Sequence, residues 1–176
     1  MKKLKYIGKV IGASIVSILL LAGMSGVSAC HVESELIAGQ HTPVGMVTVN
    51  HYAYTDRYLH ITYATTGGWE ITETHVAVAL SLDGIPHTNS GNPKVGKFPY
   101  TNPAVSEPTL VEYIIDLNDF PSLYHAPYYY GTLYVATHAV VQNPLYGQET
   151  AWGDTISQQF PGNNWALYFV ITLNHP

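Results

Sequence analysis

Trp69-Glu70-Ile71-Thr72-Glu73-Thr74-His75-Val76-Ala77-Val78-Ala79-Leu80 is the stretch on which the fold class turns. Val76, Val78 and Leu80 fall on one face and His75, Ala77 and Ala79 on the other, the period of two that a β-strand imposes. The same alternation recurs along the chain. Leu59, Ile61 and Tyr63 alternate with His60 and Thr62. Val111, Tyr113, Ile115 and Leu117 alternate with Glu112 and Asp116. Leu133, Val135, Ala139 and Val141 alternate with Tyr134, Ala136, His138 and Val140, and Trp165 to Leu173 repeats the pattern. Met46-Val47-Thr48-Val49 and a short segment near Glu35-Leu36-Ile37 complete a set of about seven strands. Breaks rich in Gly, Pro and Asn separate them, and helical spacing is hard to find. This pattern predicts an all-β fold: a single antiparallel β-sandwich, immunoglobulin-like or jelly-roll-like.

Two stretches read as long loops: Asp83 to Pro108, with five prolines, and Asn143 to Asn164, which holds Glu149, Trp152 and Asp154. Long ordered loops on a rigid β scaffold are where binding commonly resides. No repeat of 20 to 50 residues and no linker to a second domain is visible.

The N-terminus has a different character. Lys2, Lys3, Lys5 and Lys9 precede an almost unbroken apolar run from Val10 to Leu21, followed by the small residues Val27-Ser28-Ala29. That is the pattern of a secretory signal peptide, expected as a helix over residues 1–29. A 30–45 segment, carrying a possible first strand, and a β-sandwich domain over 46–176 would follow. Beyond the leader the chain carries twelve acidic residues against three basic ones (Arg57, Lys94, Lys97), a formal net charge of −9. That balance argues against nucleic acid and against peripheral binding to anionic lipid, both of which need clustered cations.

The run Val27-Ser28-Ala29-Cys30 resembles the lipobox of prokaryotic lipoproteins. The resemblance implies cleavage before Cys30, diacylglycerol on its sulfur and a membrane partner through that lipid. Two acyl chains anchor stably, at about 0.8 kcal/mol per buried methylene. Ordinary cleavage near Ala29, leaving a free thiol, is the alternative; an uncleaved anchor would be short for a span of roughly 20 residues. As the only cysteine, Cys30 forms no internal disulfide.

Catalytic signatures are absent: there is no Gly-x-Ser-x-Gly, His-Glu-x-x-His, P-loop or dinucleotide glycine pattern. Thr74-His75-Val76-Ala77 and Thr137-His138-Ala139-Val140 each set a histidine beside small apolar residues. If the two strands are neighbours, His75 and His138 approach each other, with Glu73 on the same side and Glu149 and Asp154 nearby in sequence. Imidazole with carboxylate suits zinc, copper or nickel, whereas carboxylates with loop carbonyls suit calcium. Each histidine could equally be half-buried and hydrogen-bonded within the sheet. The remaining seven histidines are scattered and form no metal-binding tract. Tyr128, Tyr129 and Tyr130, with Trp152, could offer flat faces to a surface glycan or a protein partner, or simply pack in a tyrosine-rich hairpin.

Leu36-Ile37-Ala38-Gly39-Gln40, Thr72-Glu73-Thr74-His75, Gly91 to Tyr100, Thr137 to Val141, Glu149-Thr150-Ala151-Trp152-Gly153 and Asn164 to Phe169 together resemble an uncharacterised type of secreted β domain from bacteria and archaea. The resemblance implies export and a single domain, and carries over no catalytic residue. The expected protein is a secreted, lipid-anchored, non-catalytic cell-surface protein with a structural or adhesion role. The alternatives are a filament or sheath subunit assembled by strand exchange through Glu33 to Thr48, a module for a metal ion (calcium or zinc) or a glycan, and an enzyme acting on surface polymers through paired carboxylates.

Overall fold

The computed structural model describes residues 28–52, 57–123, 129–156 and 158–173. The proposed signal helix lies outside them except for Ser28 and Ala29, which belong to the first strand. Among the described residues nine strands form: β1 (Ser28–Ala38), β2 (Thr42–Tyr52), β3 (Tyr58–Thr65), β4 (Glu70–Ala79), β5 (Tyr100–Asn102), β6 (Leu110–Asp116), β7 (Gly131–Asn143), β8 (Gly147–Asp154) and β9 (Phe169–Leu173). The described residues contain no α-helix, only single 3-10 turns such as Leu82–Gly84. All pairings are antiparallel, in the order β5-β4-β7-β8-β1-β2-β3-β6, and β9 lies beside the first half of β7.

The all-β class is as expected, but the architecture is one nine-stranded sheet nearly closed into a barrel-like shape. Residues 100–116 bring its ends together. β5 pairs with β4, the chain then exchanges backbone hydrogen bonds with Ile71 and Thr72, and β6 pairs with β3. One continuous run therefore crosses from one wall to the other. Buried hydroxyls reinforce the crossing: Tyr63 on β3 donates to the carbonyls of His75 (3.1 Å) and His138 (3.4 Å), and Tyr113 on β6 meets Thr74 Oγ1 at 2.6 Å.

Both stretches read as loops contain strands. Tyr100–Asn102 adds to β4, and Gly147–Asp154 forms a tight hairpin with β7 through Pro144-Leu145-Tyr146. At the other extreme, Trp165 to Tyr168 alternates in sequence but stays outside β9. The segment near Glu35 is an eleven-residue strand paired to β2 along its length and to β8 over Glu35–Ala38. The 30–45 segment is thus woven into the same sheet as the rest.

Two apolar clusters hold the molecule. The barrel interior collects Leu36, Val47, Val49, Leu59, Ile61, Tyr63, Val76, Leu133, Val135, Phe169, Ile171 and their neighbours. A second cluster lies on the outer face of β4, β7 and β8. There the small side chains of Ala77, Ala79 and Ala136 leave room for Ile85, Phe98, Phe160, Ala166 and Leu167 from the 80–99 and 155–168 segments. β7 is consequently buried on both faces over Val135–Ala139, which a half-wet strand would not be. Gly153 is required where β8 passes β7: a Cβ there would overlap Thr137 Oγ1 and crowd Ser34 Oγ.

The strand ends gather at two opposite ends of the barrel. Ser28, Tyr52, Tyr58, Asp116, Gly131 and Leu173 mark the end at which β1 begins. The β1–β2, β3–β4 and β7–β8 turns mark the other.

Candidate functional site

A single transverse row crosses four strands on the outer face of the covered wall: Thr101 on β5, His75 on β4, His138 on β7 and Trp152 on β8. The period of two puts all four on one side of the sheet, and the register sets them directly opposite one another. His75 and His138, expected to meet only if their strands were neighbours, are cross-strand partners. Their Nδ1 atoms lie 3.3 Å apart. Glu73 Oε1 sits 3.0 Å from His75 Nε2, so carboxylate, imidazole and imidazole form one string.

The string dictates its tautomers when both rings are neutral. The Glu73 carboxylate accepts from Nε2–H of His75, which leaves Nδ1 of His75 as an acceptor. Nδ1–H of His138 then donates to it, and Nε2 of His138 carries the lone pair. Burial favours neutrality. Both residues are 7 % exposed. Desolvation, with the neighbouring His75 adding to it, lowers the pKa of His138 to about 3. Desolvation also lowers His75, partly offset by Glu73. Trp152 closes the site edge-on to His138 at 4.9 Å and contacts Phe98 and Phe160 in turn.

Other expected site residues fall elsewhere. Glu149 lies on β8 opposite Val141, exposed and beside Gly39. Asp154 pairs in register with Glu35 at the far end of β8. Among the described residues no three His, Cys, Asp or Glu side chains are grouped to hold a metal ion by themselves. Trp152, expected as a surface contact, is 5 % exposed, and its ring is occupied by the protein's own side chains. Tyr129 hydrogen-bonds Asn118 Oδ1 (2.8 Å) and meets His51 edge-on at the end where β1 begins. Tyr130 is exposed nearby, and Tyr128 lies outside the described residues. Cys30 points into the barrel core, 7 % exposed, and burial raises its thiol pKa.

The opposite tip carries no motif in the sequence that marks it as functional. Leu145 is 86 % and Tyr146 71 % exposed at the β7–β8 turn. Tyr146 stacks in parallel on Trp69 at 6.0 Å, and Asn143 ties the turn to its neighbour by donating from Nδ2 to the Gly67 carbonyl (3.2 Å). Asn143-Pro144 carried a turn signal, but only the paired strands show that this turn projects from the barrel. No helix among the described residues is long and apolar enough to cross a membrane. The chain matches no family model, no curated protein and no solved structure.

Proposed function

We propose that this chain is an exported, non-catalytic β scaffold that works by contact at the cell surface, held at one end of its barrel and presenting the other. The observation that carries the reading is the placement of Leu145 and Tyr146. Two large apolar side chains stand in solvent on a hairpin braced by Asn143 and Trp69, at the end opposite to Ser28. Neighbouring exposed apolar groups on a rigid mount favour a partner surface. The leader-like N-terminus, the acidic mature composition and the lack of a catalytic motif support export and contact over catalysis. The finer description as a sandwich rests on the Tyr63 and Tyr113 bonds, which join facing walls.

Lipid attachment at Cys30 belongs to this proposal and makes a structural demand. A thioether-linked diacylglycerol does not fit where the sulfur now lies. The anchored form therefore gives up the Ser28↔Tyr52 and Cys30↔His51 pairs while Val32 to Ala38 stay in register. The strand-exchange alternative has one supporting observation: among the described residues, the β8 ladder accompanies β1 only over Glu35–Ala38, while β2 pairs with it from Ser28 onward.

The test is direct. Cell envelopes of the native host are incubated with wild-type protein and with the double variant Leu145→Ser/Tyr146→Ser. The same samples are run in sedimentation velocity, and the mature N-terminus is weighed intact. Loss of envelope binding with unchanged circular dichroism is the expected result. Equal binding by the double variant would sink the contact reading, and an unmodified N-terminus would remove the lipid. Oligomers that persist in the double variant would move the proposal to strand exchange.

A further inference from the structure

We infer that His75 and His138 form a two-ligand binding site for a zinc-class divalent ion, with their two Nδ1 atoms as ligands and Glu73 as the outer partner that orients His75. Zinc takes imidazole nitrogen at about 2.0–2.1 Å in tetrahedral geometry. Two nitrogens on such an ion are about 3.3–3.4 Å apart by the geometry of a tetrahedron with those bond lengths. The observed Nδ1–Nδ1 separation is 3.3 Å. The pair is already spaced as two corners of the coordination shell.

Each ring is also held in place by a neighbour. A ligating histidine usually donates its other ring N–H to a carboxylate, which fixes the tautomer and raises ligand basicity. His75 does this through Nε2 to Glu73 at 3.0 Å. His138 is oriented by Trp152, whose ring packs edge-on against it, and by its place on a strand buried on both faces. Nitrogen donors select zinc, copper or nickel over calcium and magnesium, which want oxygen. Glu149 and Asp154 take no part.

The protein supplies two ligands, so the remaining positions go to water or to a donor from a bound molecule. Binding also has a defined proton balance. In the ion-free string the His138 proton is on Nδ1. To ligate through Nδ1, His138 must carry that proton on Nε2 instead, while His75 keeps its Nε2–H on Glu73. The proton changes nitrogen, and none is released when both rings start neutral. The site stands independently of the contact reading, because it lies on the covered wall and involves neither Leu145 nor Cys30.

The test uses the full chain, stripped with chelator and titrated with zinc chloride, and separately with calcium chloride, by calorimetry and native mass spectrometry. One zinc per chain and no calcium is expected. Glu73→Gln, on a side chain 37 % exposed and tolerant of change, should bind zinc roughly 10–100-fold more weakly. His60→Asn, at a half-buried histidine beside Glu112 on the other wall of the barrel, should bind as wild type. Imidazole nitrogen NMR of the wild-type chain should show His138 switching from Nδ1–H to Nε2–H on zinc addition, a readout that needs no variant to fold. Absence of stoichiometric zinc, unaltered zinc binding in a folded His75→Gln/His138→Gln double variant, or an unmoved His138 tautomer would each overturn the site.

Discussion

His138 shows what a single register pair does to a titratable group. It sits opposite His75 and under Trp152, and the desolvation that follows holds its pKa near 3 while an unfolded chain would leave it near its ordinary 6.5. The folded protein therefore binds fewer protons than the unfolded one between those values. Stability is fully present above about pH 6.5 and falls as the solution is acidified, with a limiting slope of about 1.4 kcal/mol per pH unit for this group. His75, lowered in the same direction, adds to the loss. Urea unfolding in the presence of chelator from pH 7.5 to 4 should show the midpoint falling with pH, and His138→Gln should flatten the curve. A midpoint independent of pH in the wild-type protein would contradict the burial argument. The candidate pair was legible from the repeated Thr-His segments, and Glu73 from its spacing of two. What the sequence could not say was that β4 and β7 are neighbours in the register that sets His75 against His138, because pairing is a property of the sheet and not of either strand.

Among the elements, the two long connecting stretches diverge most from the sequence reading. Glu149 and Thr150 made 147–154 look like loop, since polarity there reflects the exposed start of β8 and not the absence of a strand. Trp165 to Tyr168 errs in the opposite direction: all four residues meet the second apolar cluster from an irregular segment, Ala166 and Leu167 buried and Trp165 and Tyr168 partly so. An alternating apolar sequence can thus be buried by an irregular segment with no continuous ladder. The alanines at 77, 79 and 136 were the available clue. An outer face of alanines is a poor match to water and a good match to a covering layer. Ile85, 0 % exposed, is the anchor of that layer on the 80–99 side. Ile85→Ala should cost about 2–5 kcal/mol. Hydrogen exchange should localise the added opening to residues 80–99 and the facing ends of β4 and β7, with β2 and β3 protected as before. Uniform deprotection of all nine strands would show that the covering layer and the barrel are one cooperative unit.

For the whole molecule, the alternating strands made the all-β class and antiparallel pairing readable. Closure was not, because it depends on residues 100–116 changing walls. That run carries Pro103 and Pro108, which marked it as loop, yet prolines are tolerated where a strand leaves one sheet edge for another. The two ends of the barrel were likewise invisible in one dimension, since Ser28 and Leu145 are far apart in sequence and strand directions alone decide which end each occupies.

That end-to-end arrangement has a mechanical consequence. A tether at Cys30 and a grip at Leu145 would pull β1 and the β7–β8 hairpin in opposite directions along the strand axis. The link between them is the β1–β8 ladder, four register pairs from Glu35↔Asp154 to Ala38↔Ala151. Antiparallel hydrogen bonds lie perpendicular to the strands, so such a load shears all four pairs together, whereas a sideways pull would peel them one at a time. Resistance to detachment would then depend on the direction of the force, and the molecule would be strongest when drawn out straight from the surface that holds it.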